Sequence, residues 1–173
     1  MLDAADEIDP RLFRRVMSRF ATGVTVVTVR EGSGVRGMTA NAFMSGSLEP
    51  PLLVVSVAKR ANTHALMHAA DRFGVNILAE TQQEVSEHFA GRPNPRLAIG
   101  FDERRGVPVL KDACARMAAE TIARHGCGDH TVFVGRILYM DGDDRPPLIY
   151  HAGRYRGLDR GGRIDQPAVL EFW

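Results

Sequence analysis

Cysteine is scarce: the 173 residues contain two, Cys114 and Cys127. The opening residues, Met1 to Glu7, lack the basic start and apolar stretch of an export signal. A structural disulfide is therefore not expected, and the chain reads as cytoplasmic. Long hydrophobic runs are missing as well, since none approaches the roughly 20 apolar residues of a membrane span. Charge of one sign is equally lacking. A net charge of +1 gives no electrostatic reason to expect nucleic acid or a membrane surface as a partner. What the chain does have is apolar content, 45% hydrophobic residues, enough for one domain with a sizeable core.

The punctuation favours strands with a few short helices. Asp9-Pro10 starts a helix with Phe13, Val16, Met17 and Phe20 on one face, ended by Gly23. Thr25 to Val29 is β-branched, and Gly32-Ser33-Gly34 turns it back as a hairpin. Phe73, Val75 and Ile77 alternate as a strand. Thr81 and Glu84 then form a capping box that opens a helix with Val85 and Phe89 inside and Gly91 at its end. Residues 91–106 gather Arg92, Arg96, Arg104 and Arg105 in a long basic loop, read as a cover. In Ala113 to Arg124 the alanines suit a helix, whereas Thr121-Ile122 and the glycines beyond suit a strand entering a hairpin; a strand is expected. Thr131 to Tyr139 is β-rich, a turn follows at Asp141 to Asp144, and Leu148 to Tyr155 returns. Short strands at this spacing favour a small antiparallel barrel over βαβ units.

The richest stretch is Gly37 to Thr63. Thr39, Asn41 and Ser45 alternate with Met38, Ala40, Phe43 and Met44 as far as Pro50-Pro51, which predicts one extended segment offering donors to a flat heteroaromatic ligand. Leu52 to Val57 reads as a buried strand. It ends in Lys59-Arg60-Ala61-Asn62-Thr63, where Asn62 or Thr63 can cap a helix and the cations with free amides suit a phosphate. A ring site joined to a phosphate site suggests a nucleotide-like cofactor; an ordinary surface strand, turn and helix cap is the competing reading. Gly32, Gly34 and Gly37 match the dinucleotide-binding glycine pattern, but no helix is expected after them and no acidic residue follows about 20 positions on, so a Rossmann domain is not expected. His125, Cys127 and His130 lack the fourth ligand of a closed zinc site, and no metal is expected. His130 can instead be held by Asp129 at a hairpin mouth, or serve only its own turn.

Six segments in order resemble the flavin reductase-like family. They are Phe20 to Thr28, Gly37-Met-Thr-Ala-Asn-Ala-Phe43, Ser47 to Leu52, Phe73-Gly-Val-Asn-Ile-Leu78, Gly128-Asp-His-Thr-Val-Phe-Val-Gly135 and Tyr150-His-Ala-Gly-Arg-Tyr155. Such proteins are short-chain NAD(P)H:flavin oxidoreductases that supply two-component monooxygenases. The resemblance implies a mainly β fold with short helices, an FMN-binding split β-barrel of antiparallel Greek-key type. It assigns residues 10–158 to that domain and leaves 159–173 as a C-terminal tail, whose apolar end at 168–173 is expected to pack. It further implies a homodimer, FMN or FAD as the flavin, NADH or NADPH as co-substrate, and a monooxygenase partner. Carried over, Thr39, Ala40, Asn41, Ala42 and Ser45 border the flavin ring, and Ser56, Val57, Lys59, Asn62 and Thr63 serve the ribityl chain and phosphate. Phe89 and Ala90 match another flavin-side position. His130 faces the nicotinamide, with His151, Gly153 and Arg154 on the same side. Ala61 stands where the family usually has serine, which removes one phosphate hydroxyl and implies a flavin held loosely. The implied chemistry is hydride transfer from nicotinamide to flavin, in which the protein supplies position. Alternatives are a flavin- or haem-binding barrel without turnover, and a flavoenzyme that keeps its flavin and reduces another acceptor.

Overall fold

A computed structural model describes residues 8–158 of the chain. The expected packing of 168–173 falls outside them. Helix α1, Pro10–Met17, starts as the sequence indicates: the Asp9 carboxylate accepts the Arg11 N–H at 2.9 Å, and Pro10 takes the first turn. It stops earlier than expected, because Ser18 closes it and Thr22–Gly23 forms the short strand β1. Its apolar face is not buried. Phe13 and Val16 are 55% and 58% exposed, since α1 lies outside the hydrophobic core clusters.

Strands β2 (Thr25–Glu31) and β3 (Gly34–Ala40) form the expected hairpin, with Gly32 at φ +57° in its turn. The single extended segment predicted as far as Pro50-Pro51 is instead two strands. β3 ends at Ala40, and β4 (Phe43–Ser47) begins after Asn41 and Ala42. The two occupy opposite edges of one antiparallel sheet ordered β3-β2-β6-β9-β10-β5-β4, where β5 is Leu52–Ala58, β6 Arg72–Ile77, β9 Ala115–Cys127 and β10 His130–Gly142. Seven flat strands would hold their edges about 29 Å apart. The link from Ala40 to Phe43 covers about 11 Å at most, so the sheet must roll up. Among the described residues no ladder joins β3 to β4, and the rolled sheet stays split. The long strands make this possible: β6 pairs with Ala115 to Glu120 of β9, while β5 pairs with the other end of the hairpin, His130 to Arg136 of β10.

The roll encloses Val27, Val29, Leu53, Val55, Val57, Phe73, Val75 and Phe133. Helix α2, His64–Ala69, plugs it with Met67, 1% exposed. The alanines that left β9 ambiguous are packing residues. Ala119 is fully buried, and Gly135 on neighbouring β10 has no room for a side chain against Ala119 and the Phe73 ring. Cys114 and Cys127 are both free, one just before β9 and the other at its far end, a whole strand apart.

A 3-10 turn, Glu80–Gln82, leads into α3, Gln83–Phe89, which Gly91 ends at φ +93°. The capping residue is not Thr81, which lies within the turn; Gln82 reaches back to accept the Ala79 N–H at 3.0 Å. The predicted loop 91–106 is shorter than expected. Its end forms β7, Phe101–Arg104, paired with β8, Val107–Leu110. Buried Asn76 explains why: its Oδ1 accepts the Leu110 N–H at 2.7 Å, and Thr28 donates to the Pro108 carbonyl. β10 likewise runs through the turn predicted at Asp141, as far as Gly142. Leu148 to Tyr155 is not one strand but part of a short hairpin. It comprises β11 (Ile149–His151) and β12 (Arg154–Arg156), with Ala152 and Gly153 at positive φ, and it joins β1 in a separate sheet.

On the far side Arg116 donates to Asp141 and Asp102, and Tyr139 donates to Asp141 at 2.7 Å. Hydrogen bonding from Arg116 chiefly holds the Asp141 carboxyl below the ordinary carboxylate range, and Arg145 holds Asp143 down to about 2. A depressed folded-state value stabilises the protein above the unfolded carboxyl value of about 3.9 and loses that effect as pH falls toward the folded one. The melting temperature should therefore drop between roughly pH 4 and 2, with Asp141→Asn less stable at neutral pH and converging on wild type in acid. Parallel melting curves at neutral pH and at pH 2 would contradict the network's role.

Candidate active site

An open cleft of about 860 Å³ lies where the rolled sheet is split, within the size range of small-molecule sites though at its upper end. Three elements form it. β3 contributes Val35 to Thr39, the end of β5 and the loop after it contribute Ala58 and Arg60 to Thr63, and the end of α3 contributes His88 to Gly91 with Pro93 beyond. β3 is an edge strand bonded only to β2. Every second backbone group along it is free of the ladder and available to a planar polar ligand.

Each wall has a local cause. Thr39 donates to the Ser86 carbonyl at 2.6 Å, and Ser86 Oγ bonds the Tyr155 hydroxyl at 2.9 Å, so β3, α3 and β12 are tied in series. The Thr39 proton is thus committed, and toward a ligand its oxygen is an acceptor. Phe89 lies directly over Gly37: a Cβ there would sit 2.5 Å from its ring. That close approach is the real work of a glycine whose spacing imitates a dinucleotide motif. The segment beyond α3 is anchored, as Asn94 donates its N–H to His88 Nδ1 at 3.0 Å and Pro93 lines the cleft.

The phosphate-like end differs from expectation in its donors. α2 has only six residues, so its dipole counts for little, and Thr63 stands at its N-cap without making a capping bond. Thr63 is 3% exposed yet lines the cleft. Lys59 turns away: its Nζ donates to the Gly128 carbonyl at 2.6 Å, and its N–H to that of Asp129 at 2.9 Å. Arg36 is held in a fork by Glu31. Arg60 makes no salt bridge among the described residues, and it is the cation in the cleft whose charge is least matched.

Of the residues singled out from the sequence, Thr39, Asn62, Thr63, Phe89 and Ala90 line this cleft. Ala40, Asn41, Ala42 and Ser45 continue past it along the split, and Val57 points into the core, fully buried. His130 pairs across the ladder with Ala58, which lines the cleft, and the two side chains share a face. Ser56 lies diagonally on the same face. Asp129 bonds His130 Nδ1 at 2.7 Å, and that bond chiefly holds the exposed Asp129 carboxyl below its ordinary value, with Arg60 adding to it. His151, Gly153 and Arg154 stand apart on the β11–β12 hairpin, outside the cleft lining. Sequence reasoning did not assign Arg36, Gly37, Met38, His88 or Pro93 to the site. The first three sit beside Thr39 in an edge strand, an exposure no local pattern reveals.

Among the described residues no helix is long and apolar enough to cross a membrane, and no cluster suits a metal ion.

A family model described as a flavin reductase like domain matches residues 17–159. An NADH-dependent flavin reductase from Rhodococcus is 42% identical over 96% of this chain and 98% of its own length. The reductase component of 4-hydroxyphenylacetate 3-monooxygenase from Thermus thermophilus is 44% identical over 84% of this chain and 95% of its own. Among solved structures, a flavin reductase in its native state superposes with a TM-score of 0.85 at 39% identity, covering 88% of this chain and all of that one.

Proposed function

Because the chain belongs to the flavin reductase-like family, we propose that it takes hydride from NADH, delivers it to FMN or FAD, and releases the reduced flavin to a partner monooxygenase. The observation that carries the reading is the cleft itself. An open sheet edge at one end suits a flat ring, and Arg60, Asn62 and Thr63 at the other suit a phosphate. The residues present fit the cofactor, which when bound supplies the hydride-accepting ring. Free β3 backbone groups, with Ala40, Asn41, Ala42 and Ser45 beyond them, orient that ring, and Phe89 and Ala90 close its side. Ser56 and the Val57 backbone serve the linking chain. Lys59, committed to the hairpin, acts on the hairpin rather than on phosphate. His130, steadied by Asp129, orients the nicotinamide, and His151, Gly153 and Arg154 belong to the same side. Ala61, where the family has a hydroxyl, supports a flavin that leaves readily. The exposed apolar face of α1, with Phe20, Met44 and Leu48, supports a homodimer. Two free thiols suit a reducing compartment, and the cytoplasm is the proposed location.

The test is direct. Purified protein mixed with FMN or FAD and NADH should oxidise NADH in proportion to added flavin, and should sediment as a dimer. His130→Ala should raise KM for NADH about tenfold while flavin affinity stays within about twofold, the loss of a single polar contact. No NADH oxidation with either flavin would end the reductase reading, and a protein that stays yellow through gel filtration without reducing added flavin would indicate a retained prosthetic group.

A further inference from the structure

We propose that His64 is a positioning residue for His130, a clasp that makes the phosphate-end loop and the nicotinamide-facing hairpin one body; this rests on the proposed role of His130. His64 is the first residue of α2, directly after Asn62 and Thr63 in the cleft. Its Nε2 shares a hydrogen bond of 2.9 Å with Thr131 Oγ1, and Thr131 immediately follows His130. The bond joins residues 67 apart in sequence and is sheltered, with Thr131 only 6% exposed.

The alternation of β10 explains why this bond governs His130. Thr131 pairs with buried Val57 and faces the interior of the roll, so His130, one residue earlier, faces outward beside Ala58. Fixing Thr131 from inside therefore fixes the direction of His130 outside. The His64 ring is itself held, edge-on to buried Phe133 with centroids 6.0 Å apart. Lys59 closes the same loop from its other end, through Gly128 and Asp129. The hairpin tip from Gly128 to Thr131 is thus gripped at three points by the segment 59–64. His130 is the first paired residue of β10, beside the Gly128–Asp129 turn, so the clasp acts where the ladder ends.

Three variants test this in the NADH oxidation assay with free FMN. His64→Phe keeps the ring and loses the nitrogen, Thr131→Val removes the other partner, and His64→Gln restores a polar group at similar reach. The first two should each raise KM for NADH about threefold to tenfold, the scale of one sheltered hydrogen bond. Flavin Kd should hold within about twofold, and His64→Gln should recover most of the loss. In a His130→Ala background neither variant should raise KM further. Equal rises in that background, or no rise at all beside a clear His130→Ala effect, would overturn the clasp alone. An unchanged KM in His130→Ala would overturn the reading of His130 and the clasp with it.

Discussion

Gly37→Ala is expected to weaken flavin binding about tenfold to a hundredfold, the equivalent of the 1–3 kcal/mol typical of overpacking. The added methyl would lie 2.5 and 2.6 Å from two carbons of the Phe89 ring, well inside contact distance. Neither side can yield cheaply. Gly37 is held in register opposite Thr28 on β2, and the Phe89 ring is packed on the core cluster formed by Val24, Val26 and Leu78 and lies edge-on to His88. The open direction for the ring is the cleft, where it would occupy the ligand's space. A flavin titration followed by fluorescence measures the loss, and Gly37→Ala combined with Phe89→Ala should bind better than Gly37→Ala alone. If the single variant binds flavin like wild type, Phe89 does not form the wall proposed for it.

Asn76→Leu is expected to destabilise the fold by about 3 kcal/mol and lower the melting temperature by roughly 6–12 °C, without a direct effect on the site. Asn76 is fully buried in β6, and leucine repeats its branched outline with bulkier methyl ends. What is lost is polar. Its Nδ2 donates to the Val26 carbonyl at 2.8 Å and, more weakly, to Thr28 Oγ1, while its Oδ1 accepts the Leu110 N–H. Thr28 in turn donates to Pro108. Leucine would leave the Leu110 N–H buried without a partner and loosen β8 from the sheet. A thermal melt checks this, and a shift below about 2 °C would mean that water or a local shift satisfies Leu110 instead. The Phe73 to Leu78 segment, which resembles a family motif, thus carries an architectural residue rather than a ligand-binding one.

Much of the molecule is legible along the chain because its causes are local. The Asp9-Pro10 start, the Gly32 turn, the alternation of β6 and the β-branched run of β10 each follow from the conformations available to a few neighbouring residues. The sequence alone also determined the family, since six short segments in order are specific together, and with it the chemistry to look for. It could not determine which strands are edges. Thr39 and Phe43 stand four residues apart in one apparent strand, yet they belong to opposite borders of the sheet, because a two-residue link compels seven strands to roll. That closure makes the cleft, frees the β3 backbone, sets Phe89 on Gly37 and turns Lys59 away to the hairpin. The bond from His64 to Thr131 is of the same kind. Such contacts join residues 50 or more apart in the chain, where pairing is decided by packing and sheet register, and neither leaves a period in the sequence.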